Sequence, residues 1–494
     1  MSKKIIFWIS NSIGSFLPCK FIKEQITESE IYSIIDIPDN QKNFYENQDI
    51  VSFKKKWFLH NHIQKNNSPD INYLANIEEK YAIPFWEIAC NERIFYNYND
   101  FYKFSENEVL SIIEQECKLF EKILDEVKPD VLILPLTVFQ QDHIFYKMCK
   151  ARSIQILMLK PTGFARRYII NSGDDNLENT STTSISKKSY EEIYSYYKSH
   201  NSSEQANNLK NDFQNSKNSL LKSFFKYISS NNSSEKNLFS YRGRTKTKVI
   251  YKTFFYELKK YFRESFINNN LLYDFDKNLK YVYFPLHIVQ ERTLLIGAPY
   301  YTNQLEIISN IVKALPIGYT LLVKEHPIMS LRGWRSISEY KKIMNLPNVK
   351  FIHHSIPSET IIRNSSLVIS VNGTSSLEAI FLQKPSITFV ETNYSHLSSV
   401  HVMKSYTELY DVIRNALKSK VNLEEVNKYV DLMNNNSFEL DLHQFSTQLQ
   451  NEFSSGGFLI DANISIEKVK SFINSHSDFL NKLSEQFSKK INLY

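Results

Sequence analysis

The chain has 494 residues, with a hydrophobic fraction of 42% and an aromatic fraction of 14%. That much apolar material can form large cores, so the composition excludes a disordered chain, and the length predicts two or three domains. No window approaches the roughly 18 apolar residues of a membrane-spanning helix. The N-terminus also lacks the long apolar region and cleavage site of a secretory signal. We therefore interpret it as a first β-strand of a cytoplasmic protein.

The net charge is +6, and most of the positive charge comes from lysine. This fits either the compositional bias of an AT-rich bacterial genome or an attraction to anionic substrates or an anionic membrane face. No RNP, zinc-finger or helix-turn-helix signature indicates nucleic-acid binding. The four cysteines form no CxxC pair, so neither a zinc knuckle nor a redox dithiol is indicated, and scattered free thiols suit a reducing compartment.

Strands and helices alternate in residues 1–170. A long helix is expected to begin at Ser105, because its hydroxyl can cap the helix and Glu108 stands where a capping-box partner belongs. The other elements predicted here are Lys4–Ile9, Asp130–Pro135 and Ile154–Leu159 as strands and His143–Ala151 as a helix. Their order predicts a parallel sheet with helices on its faces, a Rossmann-like domain that would bind the acceptor.

Residues 171–245 are rich in Asn, Ser and Lys, which predicts a polar linker or insertion. The basic and aromatic segment Lys246–Phe266 then predicts an amphipathic helix. The favoured interpretation is that its aromatic side packs on a domain. The alternative is attachment to a membrane surface.

A second alternating block, residues 246–421, predicts another doubly wound domain, and residues 422–494 read as mostly helical. The strands predicted in the block are Tyr281–Pro285, Tyr319–Lys324, Val349–Ile352, Leu367–Val371 and Ser386–Val390, and the helices are Tyr301–Ala314 and one beginning at Leu377–Leu382. The fold class is therefore α/β, with two Rossmann-like doubly wound domains facing a cleft and a helical C-terminal segment.

Ligands of open parallel sheets bind outside the carboxyl ends of the strands, and three segments of the second block lie there. In the first, Pro327 ends a strand and holds His326 at the rim, where the imidazole can donate to a phosphate oxygen and Glu325 can orient it. A structural histidine is the alternative. Another of these segments follows the strand Tyr281–Pro285 and contains Arg292. This arginine can neutralise a phosphate or carboxylate, or it can lie on the surface.

The second segment joins a strand to a helix through a hydroxyl-rich turn. Backbone N–H groups at the helix start can cradle a phosphate together with nearby hydroxyls, and Glu378 can accept from ribose. Plain N-capping by Ser375 or Ser376 is the alternative. The residues that would form the cradle are Asn372, Gly373, Thr374, Ser375 and Ser376.

With these motifs, residues 281–385 resemble the C-terminal half of bacterial surface-polysaccharide glycosyltransferases of GT-B architecture. They are most similar to the capsule-biosynthesis group that includes 3-deoxy-octulosonic acid transferases, and bacterial sialyltransferases carry similar His-Pro and Ser-Ser motifs. The resemblance implies that His326-Pro327 and Ser375-Ser376 hold the cytidine monophosphate (CMP) of a CMP-activated acidic sugar. The acceptor would be an oligosaccharide or lipid-linked glycan, with no cofactor beyond the donor, and the protein would rest in the cytoplasm or on the inner membrane face.

An inverting transferase needs a base for the acceptor hydroxyl, and the relatives use a carboxylate of the N-terminal lobe. No clear equivalent appears here, and Asp142, beside His143, is the first candidate. No DxD, HxxxH or HExxH pattern indicates a metal. The alternatives are a UDP-sugar transferase, a polyol-phosphate transferase, a nucleotide-sugar isomerase, and a non-catalytic nucleotide-sugar-binding member of a capsule assembly complex.

Overall fold

The structure is a computed structural model that describes residues 2–10, 13–173, 186–199, 238–276, 278–455, 459–460 and 464–492. Most of the expected linker lies outside these residues. The thirteen strands of the two main sheets are β1 (Lys4–Ile9), β2 (Glu30–Ile35), β3 (Lys55–Phe58), β4 (Val131–Ile133), β5 (Gln155–Pro161), β6 (Arg167–Asn171), β7 (Tyr281–Pro285), β8 (Thr320–Lys324), β9 (Val349–Ile352), β10 (Leu367–Ser370), β11 (Ser386–Thr388), β12 (Val400–Val402) and β13 (Phe438–Glu439).

The strands form one sheet in each of two lobes. The N-terminal sheet has the order β13-β6-β5-β4-β1-β2-β3, and the C-terminal sheet has the order β12-β11-β10-β7-β8-β9. All pairings are parallel except those of β6, which pairs antiparallel with β5 and with β13. Central strands are buried on both faces, which explains their unbroken apolar runs. The expected α/β fold with two doubly wound domains is confirmed.

Helices cover the faces of both sheets. The long helix begins as predicted, because Ser105 and Glu108 form the capping box. The helices of the described residues are Pro18–Gln25, Asp39–Asn47, Ile71–Tyr81, Phe85–Asn91, Glu106–Val127, Gln140–Ala151, Tyr190–Ser199, Lys246–Asn270, Arg292–Leu295, Gln304–Ala314, Ile337–Met344, Ser358–Asn364, Thr374–Phe381, Leu409–Lys418, Leu423–Asn436, Leu442–Phe453, Ile466–Ser475 and Ser477–Asn492.

The C-terminal helices are shared between the lobes. Helix Leu423–Asn436 packs in the core of the C-terminal lobe through Tyr429 and Met433. The chain then returns, and residues 438–453 and 464–491 pack on the N-terminal sheet, with Leu480 and Phe487 in its core. The described part of the segment expected at 422–494 is therefore mostly helical, but it is divided between two cores.

The lobes are joined at the tip of the β5–β6 hairpin. Phe164 at this tip is fully buried in the core of the other lobe, with ring centroids 5.7 Å from Phe381 and 6.1 Å from Tyr429. The side-chain amide of Asn393 donates to the Thr162 carbonyl at 2.8 Å. The hairpin is thus an anchor that sets how the N-terminal lobe meets the C-terminal lobe.

Replacing the anchor tests its contribution. Phe164→Ala should lower the free energy of unfolding by about 3–5 kcal/mol, because it removes a buried ring and leaves a cavity. Urea unfolding followed by circular dichroism measures the change. Phe254→Ala is the matched control, because that ring is 62% exposed and its loss should change stability by less than about 0.5 kcal/mol. Equal effects of the two substitutions would contradict the anchoring role.

Candidate functional site

The topology of each sheet determines where a ligand can enter. In the C-terminal sheet β7 comes first, β8 and β9 lie on one side of it, and β10, β11 and β12 lie on the other. The chain therefore reverses direction across the sheet between β7 and β10, which is the position where ligands bind in open α/β sheets. The segments that follow these two strands hold Arg292 and Thr374.

A cleft of about 810 Å³ opens at this point between the lobes. The C-terminal lobe contributes the segments 290–293, 372–374 and 392–394, together with Arg332 and Leu377. The N-terminal lobe contributes the hairpin residues 160–163, 165, 166 and 168, together with Arg93, Leu136, Val138 and Phe139. Both lobes therefore face one volume, which is large enough for a nucleotide sugar.

The cleft is strongly cationic. Four of the twelve arginines in the chain line it, together with Lys160, and Glu291 provides the single carboxylate among the described lining residues. The arginines are Arg93, Arg166, Arg292 and Arg332. Because guanidinium groups bind phosphate and carboxylate oxygens with charge-assisted hydrogen bonds, this lining fits an anionic ligand. Of these arginines, only Arg292 was predicted from the sequence as a site residue.

The helix Thr374–Phe381, called here the cleft helix, points its N-terminus at the same volume. Its N-cap is Gly373, and no side chain caps it. The first backbone N–H groups of a helix have no partner within the helix and lie at its positive end. Gly373, Thr374 and Leu377 line the cleft, so these donors are placed for an anion.

The two serines of the motif are placed differently from the prediction. The Ser376 hydroxyl is fully buried and lies 2.7 Å from the Ser370 hydroxyl, so it is occupied inside the lobe. Ser375 is half-buried and does not line the cleft. The exposed hydroxyl at the helix start is that of Thr374. N-capping by Ser375 or Ser376 is also absent.

The turn is supported by His287, which was not among the site residues predicted from the sequence. Its Nε2 accepts from the Val371 backbone N–H at 3.1 Å, so the ring is neutral with its proton on Nδ1. Burial lowers the pKa of His287 to about 3, and the neighbouring His326 and Arg335 contribute to this shift. A Cβ at Gly373 would lie 2.7 Å from the ring, so only glycine fits there.

Glu325 belongs to a buried ion pair outside the cleft. Its carboxylate accepts from Arg335 at 2.8 Å and from the Tyr340 hydroxyl at 2.9 Å, and its side chain is fully buried. Arg335 in turn donates to the His287 carbonyl at 2.6 Å. Glu325 therefore joins the ends of β7 and β8, instead of orienting the His326 ring as expected.

His326 lies at the rim beside the cleft. Its Nδ1 accepts from the Ile328 backbone N–H at 3.2 Å, which assigns the proton to Nε2 and leaves a donor on the outer side. Burial and the charges of Lys324, Arg332 and Arg335 lower the pKa of His326 to about 4. Neither His326 nor Pro327, which begins the turn Pro327–Ser330, lines the cleft.

Glu378 is partly buried in the C-terminal lobe and does not line the cleft. It accepts from the Tyr194 hydroxyl at 3.3 Å, and burial raises its pKa to about 7. Tyr194 comes from the helix Tyr190–Ser199, which packs on this lobe. The hydrogen-bond partner of Glu378 is thus the Tyr194 hydroxyl, whereas the sequence predicted a ribose hydroxyl.

Asp142 caps its own helix. Its carboxylate accepts from the backbone N–H groups of Val138 and Phe139 at 3.0–3.1 Å, and the residue is buried. These bonds occupy both oxygens, which is the reason the structure does not favour Asp142 as the base. His143 lines a smaller cavity beside Phe139, and burial with the charges of Lys147 and Arg292 lowers its pKa to about 3.

The cleft continues into an apolar cavity of about 490 Å³ in the N-terminal lobe. The two volumes share Leu136, Pro161 and Tyr168. Trp8 and Leu134, at the ends of β1 and β4, also line the cavity, so it lies where the N-terminal sheet reverses direction. In the described ranges, no three His, Cys, Asp or Glu side chains are grouped so that they could hold a metal ion.

Residues 197–398 match the model of the family described as capsule polysaccharide biosynthesis protein. The match confirms the resemblance to capsule-biosynthesis proteins that the strand-end motifs of this region indicated. No curated protein matches the chain.

Solved structures resemble it at low identity. The KpsC β-Kdo 2,7 transferase of Thermosulfurimonas dismutans is 13% identical, with 76% of this chain and 90% of that chain covered and a TM-score of 0.31. UDP-GlcNAc 2-epimerases are also similar. That of Methanocaldococcus jannaschii is 13% identical over 91% of this chain and 100% of its own, with a TM-score of 0.25. That of Neisseria meningitidis, bound to UDP-GlcNAc, is 11% identical, with 96% of this chain and 100% of that chain covered and a TM-score of 0.25.

Proposed function

We propose that this protein is a glycosyltransferase of capsule or lipopolysaccharide biosynthesis that transfers an acidic sugar from a CMP-activated donor. The observation that carries the proposal is the uncapped N-terminus of the cleft helix, which faces a volume lined by four arginines. That arrangement suits a phosphate next to a second anionic group. The family match over residues 197–398 supports the setting in capsule synthesis.

The number of cations favours an acidic sugar. A CMP-sugar has one phosphate, and the carboxylate of an acidic sugar adds a second anion. Arg292, Arg332 and the helix start lie on the C-terminal lobe, whereas Arg93, Arg166 and Lys160 reach the cleft from the N-terminal lobe. The CMP phosphate would bind the cations of the C-terminal lobe, and the sugar carboxylate would bind those of the N-terminal lobe. A UDP-sugar would place its second phosphate where we place that carboxylate, so it is the runner-up donor.

The reaction would be a direct displacement at the anomeric carbon with inversion. The acceptor hydroxyl loses its proton to a base as its oxygen forms the new glycosidic bond, and the bond to the CMP oxygen breaks with its electron pair leaving on the phosphate. Helix N–H groups and Arg292 would stabilise that leaving charge, which is the role a divalent metal has in other transferases. The expected independence from metal remains a prediction.

Glu291 is the better placed candidate for the base. It is the one carboxylate among the described residues that line the cleft, and burial raises its pKa above the ordinary value of a glutamate. A raised pKa makes a carboxylate a stronger base near neutral pH. The nearest cation is Arg332, at 3.6 Å. Asp142 is the weaker candidate, because its oxygens are bonded to backbone.

The acceptor would be a lipid-linked glycan or an oligosaccharide. The apolar cavity that adjoins the cleft has room for hydrocarbon next to the sugar, which supports the lipid-linked form. We propose the cytoplasm as the location, because nucleotide sugars are made there. No helix in the part of the chain that the structure describes is long and apolar enough to cross a bilayer.

Removing the arginine beside the helix start should weaken nucleotide binding. Arg292→Ala should reduce CMP affinity about tenfold or more, because a charge-assisted hydrogen bond contributes roughly 1.5–3 kcal/mol. Calorimetric titration of CMP, with UDP in parallel, measures this. Arg414→Ala is the matched control, since Arg414 lies on a helix outside the cleft and bonds its own helix. Unchanged CMP affinity in Arg292→Ala would refute the placement, and tighter binding of UDP would favour the other donor.

Two isosteric substitutions distinguish the candidate bases. Glu291→Gln should reduce turnover about 10²-fold or more while CMP affinity stays within a few-fold, because the amide keeps the shape but cannot take a proton. Folded Asp142→Asn protein should keep a turnover within about tenfold of that of the unchanged protein. The assay measures transfer from CMP-sugars to a capsule-type acceptor, with and without EDTA. Full activity of Glu291→Gln would exclude it as the base, and loss of activity with EDTA would exclude the metal-free mechanism.

A further inference from the structure

The helix Lys246–Asn270, called here the aromatic helix, has one face on the C-terminal lobe. Ile267 is fully buried in that lobe, and Arg263 donates to the carbonyls of Gly333 and Trp334 at 2.9 and 3.0 Å. The Tyr256 hydroxyl donates to the Leu331 carbonyl at 3.4 Å. This inner face therefore holds the helix against residues 331–334.

The opposite face is apolar and exposed. The sequence favoured the interpretation that the aromatic side packs on a domain, but the structure turns most of it to solvent. Six large side chains there are 38–68% exposed, namely Tyr251, Phe254, Phe255, Leu258, Tyr261 and Phe262. Their spacing of three, four, seven, ten and eleven residues from the first places them on one side of a helix. We call this set the aromatic stripe.

Rings of the stripe touch one another and leave their outer surfaces bare. The centroids of Tyr251 and Phe255 are 4.5 Å apart, and those of Tyr261 and Phe262 are 5.7 Å apart. A contiguous apolar patch of this kind is uncommon on a monomeric protein and marks a surface that meets another apolar phase. Nothing in the described residues covers it.

The charge of the same helix selects the occupant. Five lysines and one arginine stand on it against two glutamates, Glu257 and Glu264. Two copies of the helix would bring these excess positive charges together, which disfavours self-association. Aromatic rings between basic side chains are the composition of helices that lie in the interface of an anionic bilayer.

We propose that the aromatic stripe docks this protein on an anionic lipid surface without entering the hydrocarbon core. The rings would lie at the boundary between the headgroups and the acyl chains, and the lysines would meet the lipid phosphates. Residues 331–334 connect the docked helix to the cleft, because they contact the helix and Arg332 among them lines the cleft. Docking would therefore hold the cleft next to lipid-borne acceptors. This goes beyond the proposed chemistry and does not depend on the donor.

Co-sedimentation of the full chain with vesicles tests the proposal. The probe is phosphatidylglycerol–phosphatidylcholine vesicles, with pure phosphatidylcholine in parallel, at low and high salt. The protein should pellet with the anionic vesicles and less so at high salt. The variant Phe254→Ser/Tyr261→Ser/Phe262→Ser should bind at least about tenfold more weakly, since each removes a ring from the interface. The control Tyr300→Ser/Ile317→Ser removes two side chains that are 80% and 104% exposed on other surfaces, and it should bind like the unchanged protein.

Three outcomes would overturn the proposal. The first is that the protein does not pellet with anionic vesicles, and the second is that the stripe variant pellets as much as the unchanged protein. The third is that sedimentation velocity shows the unchanged protein as a dimer and the stripe variant as a monomer. Calorimetric CMP titration of the stripe variant keeps the two proposals apart. Loss of vesicle binding with unchanged CMP affinity supports docking, whereas a failure of CMP binding in the unchanged protein would concern only the donor site.

Discussion

Burial of one hairpin tip in the opposite lobe is the contact on which the candidate site depends. Two parallel sheets each offer a crevice where the strand order reverses, and neither crevice alone encloses a ligand. Because Phe164 sits in the core of the C-terminal lobe, the N-terminal crevice is held against the C-terminal one. Gly163, beside it, has a φ of +75° and lies next to Thr374, so the tip turns directly in front of the cleft helix.

Below the cleft, a buried hydrogen-bond network fixes the ends of three strands. His287 follows β7, its ring accepts from the residue after β10, and its carbonyl accepts from Arg335, whose partner Glu325 follows β8. A buried ion pair of this kind contributes little net stability, but losing one partner leaves an unpaired charge. Its effect here is positional, because it sets the turn that carries Gly373 and Thr374.

Electrostatics then select what can bind. Arginines from both lobes converge on a volume with one carboxylate, and the helix start adds its dipole. Such a cleft would attract a nucleotide sugar before any specific contact forms. The aromatic helix extends the same positive charge to the outer surface, so one sign of charge would serve both the donor and a lipid surface.

The sequence predicted the frame of the fold well, because its signals are local. The strands Lys4–Ile9, Tyr281–Pro285 and Val349–Ile352 have the predicted bounds, and the capping box at Ser105 is present. The antiparallel β6, which forms a hairpin with β5, was missed. The return of the C-terminus through β13 was also missed, since β13 pairs with a strand that is distant in the chain.

The site was harder to predict for the same reason. Arg292 and Thr374 follow strands and could be placed from the chain, whereas Arg93 and Arg166 reach the cleft only through the meeting of two lobes. The scarcity of arginine was the one available signal. His326 and Ser376 were predicted as site residues but do not line the cleft. Their position in a motif does not reveal that a polar atom of each side chain is already hydrogen-bonded inside the lobe.

The location of a bound donor phosphate tests the account most directly. A crystal structure of the protein with CMP should show the phosphate within about 3 Å of the backbone N–H group of Thr374 and of the Arg292 guanidinium, with hydrogen bonds of the ordinary charge-assisted length. A phosphate bound elsewhere, or a cleft that stays empty at saturating CMP, would contradict the assignment of this helix start as the donor site.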